Sequence, residues 1–299
     1  MATQNPQVSV IIPTYNRSDQ IQATIESVLN QTYTNYVLII IDDASTDGTA
    51  DWIAKNYPDI WLSRLPQNCG PAGARNVGIK LTDSDLIAFL DHDDQWLPSY
   101  LEAQVKTLQE NPHAVLVFCN YLESKKGSYE VNHDVRPLSI YQNMTHHLLM
   151  ENIIHTMSTV VIRREVLLQA GLLNDCLKIC HDRELYLRLL YLGEAVHVSH
   201  TLVIKVVHSN NLVGNYRLWA KEAQMLLDIF FEDPRSQPYK HLKAEAKSYW
   251  AFKLAKWMWR SHHDVLFTLA MMLRAFQFHP RLTTQKIWQK LRLILKLKQ

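Results

Sequence analysis

Val8-Ser9-Val10-Ile11-Ile12-Pro13-Thr14-Tyr15-Asn16-Arg17 sets a largely apolar run against a polar end. Such a run is expected of a parallel strand covered on both faces, and its polar end marks the carboxyl edge of a sheet, where α/β folds hold ligands. The pattern repeats outward. Tyr36 to Ile41 is a continuous apolar run ending in Asp42-Asp43, and Leu86 to Leu90 ends in Asp91-His92-Asp93-Asp94. Ile60 to Leu65 reads as a further strand. Between the strands lie helical patterns: one from Ser18 as N-cap with Ile21, Ile25, Val28 and Leu29 on a buried face, one over Ala72 to Lys80, and one over Ser99 to Glu110 that stops before Asn111-Pro112. Strand–helix alternation of this kind predicts βαβ units, hence an α/β domain on a mixed, mostly parallel sheet flanked by helices.

Beyond that frame, Val115 to Phe118 and Ser158 to Ile162 are β-like, and Val196 to Val207 is β-branched and runs into His208. Asn120 to Asn152 is weakly patterned, with a short helical piece over Tyr141 to Met150, and suits an insertion. Asp182 to Leu192 predicts a helix with Gly193 just past its end. No glycine follows Gly214, and the composition turns to Leu, Ala, Lys, Trp and Met, interrupted at Pro234, Pro238 and Pro280. That shift predicts two domains, residues 1–215 and a helical C-terminal region 216–299.

A chain of 299 residues with 47% apolar content can bury a full core. Its 31 basic and 29 acidic residues leave a net charge of +2, with no general electrostatic footprint for nucleic acid. Four cysteines, Cys69, Cys119, Cys176 and Cys180, are too sparse for a disulfide framework. Cys176, Cys180 and His181 lack the fourth ligand and the pairing of a zinc site. The first residues have neither a basic nor an apolar leader segment, and no run of about 18 apolar residues exists to span a bilayer. A cytoplasmic location is expected. From Thr283 to Gln299, Ile287, Trp288, Leu291, Ile294 and Leu295 share one helical face, while the other face is polar and basic without an acid. Such a helix suits an anionic membrane surface and equally suits packing on the preceding Trp-rich helices. Membrane contact would put the protein at the inner face of the cytoplasmic membrane.

The polar strand ends carry the chemistry. Thr14, Tyr15, Asn16 and Arg17 face the crevice, or form an ordinary turn capped by Asn16 or Ser18. Asp42 and Asp43 can accept hydrogen bonds from a base N–H or a ribose hydroxyl, or sit in a polar loop whose Asp47 caps the next helix. Three carboxylates within four positions, Asp91, Asp93 and Asp94, make sense opposite a divalent cation and a diphosphate and are costly without one.

Taken with Asn68-Cys69-Gly70-Pro71-Ala72-Gly73-Ala74-Arg75-Asn76-Val77-Gly78 and His181-Asp182-Arg183-Glu184, these segments resemble, in their order, the family 2 glycosyltransferases of the GT-A fold. The resemblance spans about Gln7 to Asn215 and implies an inverting transfer of a sugar from a UDP-, GDP- or dTDP-linked donor to a hydroxyl acceptor, with Mn²⁺ or Mg²⁺. It implies roles for particular residues. Thr14, Tyr15, Arg17, Asp42 and Asp43 would bind the nucleoside side of the donor. Gly70 would let the backbone come close, and Arg75 would meet the diphosphate, a task suited to a planar, permanently charged fork. Asp91 would face the ribose or the metal, Asp93 would be the direct metal ligand, and Asp94 and Trp96 would support the loop. His208 would lie near the metal. Asp182 would be the general base, a role compatible with capping its helix, and Glu184 would touch the acceptor. Histidine at 181 departs from the family's glutamate.

Two rivals remain. A non-catalytic sugar-nucleotide or glycan binder on the same fold has no need of a base. A nucleotidyltransferase would carry a glycine-rich basic signature where Pro13 to Arg17 stands. The glycines of 70–78 do not follow the first strand and are not GxGxxG, which argues against a dinucleotide fold.

Overall fold

The computed structural model describes residues 7–125, 128–131, 143–207, 216–261 and 263–285. The chain divides into two compact units, residues 1–144 with 153–211, and residues 145–152 with 212–299.

The first unit opens with strand–helix alternation: β1 (Val8–Thr14), α1 (Ile21–Leu29), β2 (Tyr36–Asp42), α2 (Thr49–Asn56), β3 (Trp61–Arg64), α3 (Gly70–Lys80) and β4 (Leu86–Phe89). The four strands lie parallel in the order β3-β2-β1-β4. Every residue of β1 and of β4 is buried, as their apolar runs require of strands covered on both faces. Next come β5 (Gln95–Trp96), α4 (Tyr100–Glu110), β6 (Ala114–Lys125) and β7 (Ser128–Val131). After α5 (Met144–Met150), which groups with the second unit, the chain forms β8 (Val160–Arg163), α6 (Arg164–Ala170), α7 (His181–Leu189) and β9 (Glu194–Val206). The sheet continues from β4 through β8, β6 and β9 to β5, with β8 antiparallel to both neighbours, β9 parallel to β6, and β7 pairing with β6. This is the mixed, mostly parallel GT-A type sheet.

Two glycines show how α3 is held. Gly70 has φ +78, left-handed backbone that a side chain disfavours. A Cβ on Gly78 would stand 2.6 Å from Ile11 Cγ2, so a bare backbone lets α3 lie directly on β1. The sheet's other side receives α1 through Ile21, Ile25 and Val28.

Several boundaries differ from the sequence reading. α1 begins at Ile21 rather than at a Ser18 cap, because the carbonyl of Arg17 takes the N–H groups of Gln20 and Ile21. Leu29, expected inside, is half exposed at the last turn. α7 begins at His181, so Asp182 lies inside its first turn instead of capping it. α6, seven residues long, carried too short a pattern to anticipate.

In the second unit, α8 (Tyr216–Glu232) is followed by a 3-10 segment over Pro234–Leu242, then α9 (Lys243–Ser261) and α10 (Val265–Phe278). The prolines at 234 and 238 fall in that segment, where an α-helix cannot continue. Trp250 is buried, donates its indole N–H to Leu149 O at 2.7 Å and meets Trp219 edge-on at 5.8 Å. The expected tail helix lies mostly outside the described residues.

Candidate active site

The register of β1 on β2 sets Thr14 beside Asp42 at the carboxyl edge, and Asp43 N donates to Thr14 O at 2.8 Å. The turns that follow are tied together. Asn16, at φ 53, accepts from Thr46 N at 2.8 Å and donates its own N–H to Ser45 Oγ at 2.9 Å, while Arg17 N donates to Thr49 Oγ1 at 2.8 Å. Tyr15 stands exposed at this mouth. The hydroxyl of Thr14 and Oδ1 of Asp42 are buried with no hydrogen-bond partner among the described residues. Buried polar atoms of this kind are uncommon, and two side by side mark a place where a ligand's polar groups are wanted.

Asp42 and Asp43 separate sharply. Asp42 uses only Oδ2, which accepts Ser45 N at 3.1 Å. Asp43 takes the N–H groups at the head of α3, Cys69 N on Oδ1 at 2.8 Å and Gly70 N on Oδ2 at 2.9 Å. A carboxylate there meets the positive end of the helix. Each oxygen of Asp43, expected at the nucleoside, thus takes one N–H of α3, and a carboxylate oxygen has a second lone pair for a further donor. Burial and the Asp43 carboxylate push the Cys69 thiol up to about 11.

Arg75, expected at the diphosphate, sits at the centre of a buried cluster. It is buried, bonded through Nη2 to Asp91 and through Nη1 to His181 Nε2 at 3.0 Å and Pro71 O at 3.3 Å. Its first partner is a carboxylate of the protein. Burial disfavours the ionised Asp91, but Arg75 and then His92 outweigh it and hold the carboxyl below its usual range. His181 is pushed down to about 3 by burial and by Arg75, so it is neutral and its Nε2 accepts from the guanidinium. A neutral acceptor fills the place where the family's glutamate would add a charge.

Asp182 follows immediately. Burial raises its carboxyl to about 6, against the lowering effect of the Arg183 N–H, which donates to Oδ1 at 2.6 Å. Arg75 and Asp91 also act on it, one down and one up. A carboxylate near 6 is basic enough to take a hydroxyl proton and still largely ionised at neutral pH.

The Asp91-His92-Asp93-Asp94 loop leaves β4 beside the end of β1, with Leu90 N on Ile11 O. His92 accepts from Arg17 Nε at 2.9 Å and donates from Nδ1 to Pro13 O at 3.2 Å, and burial and Arg17 lower its pKa. Asp94 is buried, with Oδ2 accepting from Ser158 Oγ at 2.6 Å and Oδ1 from Val206 N at 3.1 Å. Burial and the charges of Asp91 and Asp93 raise it well above the usual range. Asp94 thus braces the loop on β9. Trp96 does likewise, its indole N–H on Ser158 O at 2.7 Å and its ring stacked on Tyr100 at 4.0 Å. Thr156 and Ser158 were missed by the sequence reading. Thr156 Oγ1 reaches Asp91 Oδ2 at 3.2 Å, and Ser158 Oγ accepts Asp91 N at 3.1 Å. Hydroxyl residues are too common for such a contact to be read from sequence.

Glu184, expected at the acceptor, is paired within its own helix. It is buried and held by both oxygens to Arg188, at 2.7 Å each, while Arg188 reaches the carbonyls of Ala170 and Leu172. Through that pairing it joins α7 to the end of α6. The Glu184–Arg188 spacing of four was the available signal. His208 lies outside the described residues. For a metal, the loop supplies hard oxygen donors of the kind Mg²⁺ and Mn²⁺ prefer, with Asp93 half-buried between Asp91 and Asp94 in sequence. Among the described residues no three His, Cys, Asp or Glu converge as a cage.

The model of the family described as "Glycosyl transferase family 2" matches residues 9–170. An uncharacterized glycosyltransferase of Rickettsia typhi is 32% identical over 68% of this chain and 64% of its own length. The putative teichuronic acid biosynthesis glycosyltransferase TuaG of Bacillus subtilis is 31% identical over 73% of this chain and 88% of its own. The Escherichia coli protein named UDP-Glc:alpha-D-GlcNAc-diphosphoundecaprenol beta-1,3-glucosyltransferase WfgD is 34% identical over 54% and 61%. The match thus spans under two thirds of the Rickettsia and Escherichia relatives. Two solved structures share the fold: S. aureus TarS 1–349 with UDP-GlcNAc (TM-score 0.64, 18% identity, 93% of this chain and 82% of that one) and the Pyrobaculum calidifontis mannosyltransferase PcManGT with GDP-Man and Mn²⁺ (0.63, 19%, 98% and 81%).

Proposed function

The chain belongs to glycosyltransferase family 2, and we propose that it transfers a sugar from a nucleoside-diphosphate donor to a hydroxyl acceptor in one displacement that inverts the anomeric carbon. One observation carries this reading: Asp182, a carboxylate raised to about 6, shares its surroundings with the Arg75–Asp91 pair at the carboxyl edge of the sheet. Thr14 and Asp42 meet the nucleoside through the hydroxyl and Oδ1 that have no described partner, and Tyr15 offers an aromatic face there. Arg17, held by His92, lies at the same mouth. Arg75 and His181 hold Asp91 ionised and oriented toward the ribose. Asp182 takes the proton of the acceptor hydroxyl as its oxygen bonds to the anomeric carbon, and the bond from that carbon to the diphosphate oxygen breaks. Asp93, with His208 a further candidate ligand, would hold a Mn²⁺ or Mg²⁺ ion, which would neutralise charge on the departing diphosphate.

UDP- and GDP-linked donors stand in the names of the relatives and structures, and a diphosphoundecaprenol-linked sugar in that of the Escherichia relative. An acceptor of that lipid-linked class would put the reaction at the inner face of the cytoplasmic membrane, with the segment from Thr283 as a contact. Incubation with UDP-, GDP- and dTDP-sugars and Mn²⁺ tests the reading by release of nucleoside diphosphate and by NMR of the product anomer. Inversion is expected. Binding of every donor without release would leave a binder on the same fold.

A further inference from the structure

α10 turns one side to α9 and the other to solvent. Met271 and Ala275 are buried, Met271 against Ala220, Leu254 and Ala255. On the opposite side Leu266, Leu269, Leu273 and Phe276 recur at steps of three and four and so form one stripe. They are 82%, 56%, 65% and 51% exposed. Trp259 of α9, 54% exposed, stands edge-on to His263 at the turn between the two helices. A contiguous apolar stripe of this size marks a surface that another apolar body covers.

Charge identifies the body. From Ala251 to Gln299 the chain has ten Lys and Arg and a single acid, Asp264, whereas the first 250 residues carry 21 basic against 28 acidic residues. Asp264 is itself engaged, accepting Phe267 N at 3.0 Å at the head of α10 and pairing with Arg217 at 3.1 Å. Lys256 and Arg260 are exposed beside Trp259. A second copy of this chain would set these cations against one another. A helix of 14 residues is about 21 Å long, against a hydrocarbon core of about 30 Å. No helix among the described residues is long and apolar enough to cross a membrane. An apolar stripe of that length in so basic a stretch of chain suits a helix lying flat in an interface, with tryptophan at its edge.

We propose that the outward face of α10, together with Trp259, docks on an anionic lipid bilayer. Leu266, Leu269, Leu273 and Phe276 enter the boundary between head groups and acyl chains, and Lys256 and Arg260 meet lipid phosphates. The inference rests on the proposed function only for the location of the acceptor.

The test floats the full chain with vesicles of phosphatidylcholine, with and without phosphatidylglycerol. Wild type is expected with the anionic vesicles alone, and L269Q/L273Q is expected to bind them at least about tenfold more weakly. Both replaced side chains are exposed, so circular dichroism should be unchanged. As a readout independent of that variant, brominated lipid should quench part of the wild-type tryptophan emission and W259F should lose that part. Donor hydrolysis without vesicles should be the same in L269Q/L273Q and wild type, which separates failure of docking from failure of the transferase reading. Indifference of wild type to anionic vesicles, or equal binding by the variant, would overturn the proposal. So would slow maleimide labelling of L273C without vesicles, because the stripe would then already be covered by another part of the chain or by a second copy.

Discussion

Arg75 of α3 is bonded to Asp91 of the loop after β4, and the same guanidinium reaches His181 at the head of α7. One cation thereby links three elements around the site. Arg75→Ala should leave Asp91 without its counter-charge and lower stability by about 3 kcal/mol, the low end for a buried pair because Asp91 is 32% exposed. The pH dependence follows from the depressed Asp91 carboxyl. Its contribution is present above the ordinary carboxylate pKa and is lost as pH falls through the lower folded value. Urea unfolding of both proteins should show the gap narrowing toward the acid end. A gap independent of pH would mean that Arg75 acts by packing.

The adjacent carboxylates Asp42 and Asp43 should fail in different ways. Asp43→Ala removes the acceptor for two N–H groups at the start of α3 and should cost about 1 to 2 kcal/mol, with donor affinity falling because α3 carries Arg75. Asp42→Asn should change stability by less than about 1 kcal/mol and weaken donor binding by about tenfold. Thermal melts beside calorimetric titration with nucleoside diphosphate separate the two. Unchanged affinity in Asp42→Asn would take Oδ1 of Asp42 out of the site.

That contrast shows where the sequence stopped. The runs Val8 to Ile12, Tyr36 to Ile41 and Leu86 to Leu90 were legible as buried strands because burial on both faces leaves little but apolar side chains. Their polar ends located the site. Two neighbouring aspartates look alike in a sequence, however, and only the approach of α3 decides which one caps a helix. Thr156 and Ser158 reach Asp91 and Asp94 across more than 60 residues with no pattern to announce them. Arg75 and Glu184 were expected at substrate groups, yet each is matched first by an opposite charge of the protein, Arg75 across the fold and Glu184 within its own helix.

The metal reading makes a separate demand. Asp93→Ala should abolish the Mn²⁺-dependent part of nucleoside-diphosphate affinity while leaving the fold intact, because Asp94 still braces the loop on β9. Titration of the nucleoside diphosphate with and without Mn²⁺ measures it. Persistence of the metal-dependent increment would exclude Asp93 as a ligand.

Asp182 bears most directly on whether this chain is an enzyme. Its raised carboxyl implies that kcat/KM climbs as pH rises through about 6, where the base ionises. The same shift has the opposite sign for stability, since the folded state holds the proton more tightly and loses that advantage as pH rises past 6. Asp182→Asn should therefore be at least as stable as wild type at neutral pH. Glu184→Gln should show the reverse, with turnover kept and stability lowered by loss of the Arg188 pairing. The decisive measurement is single-turnover transfer by Asp182→Asn alongside its donor affinity. Donor and metal binding should match wild type while transfer falls by about 10² to 10⁴. Transfer within about tenfold of wild type would contradict the assignment of the base, and with it the account of how this site acts.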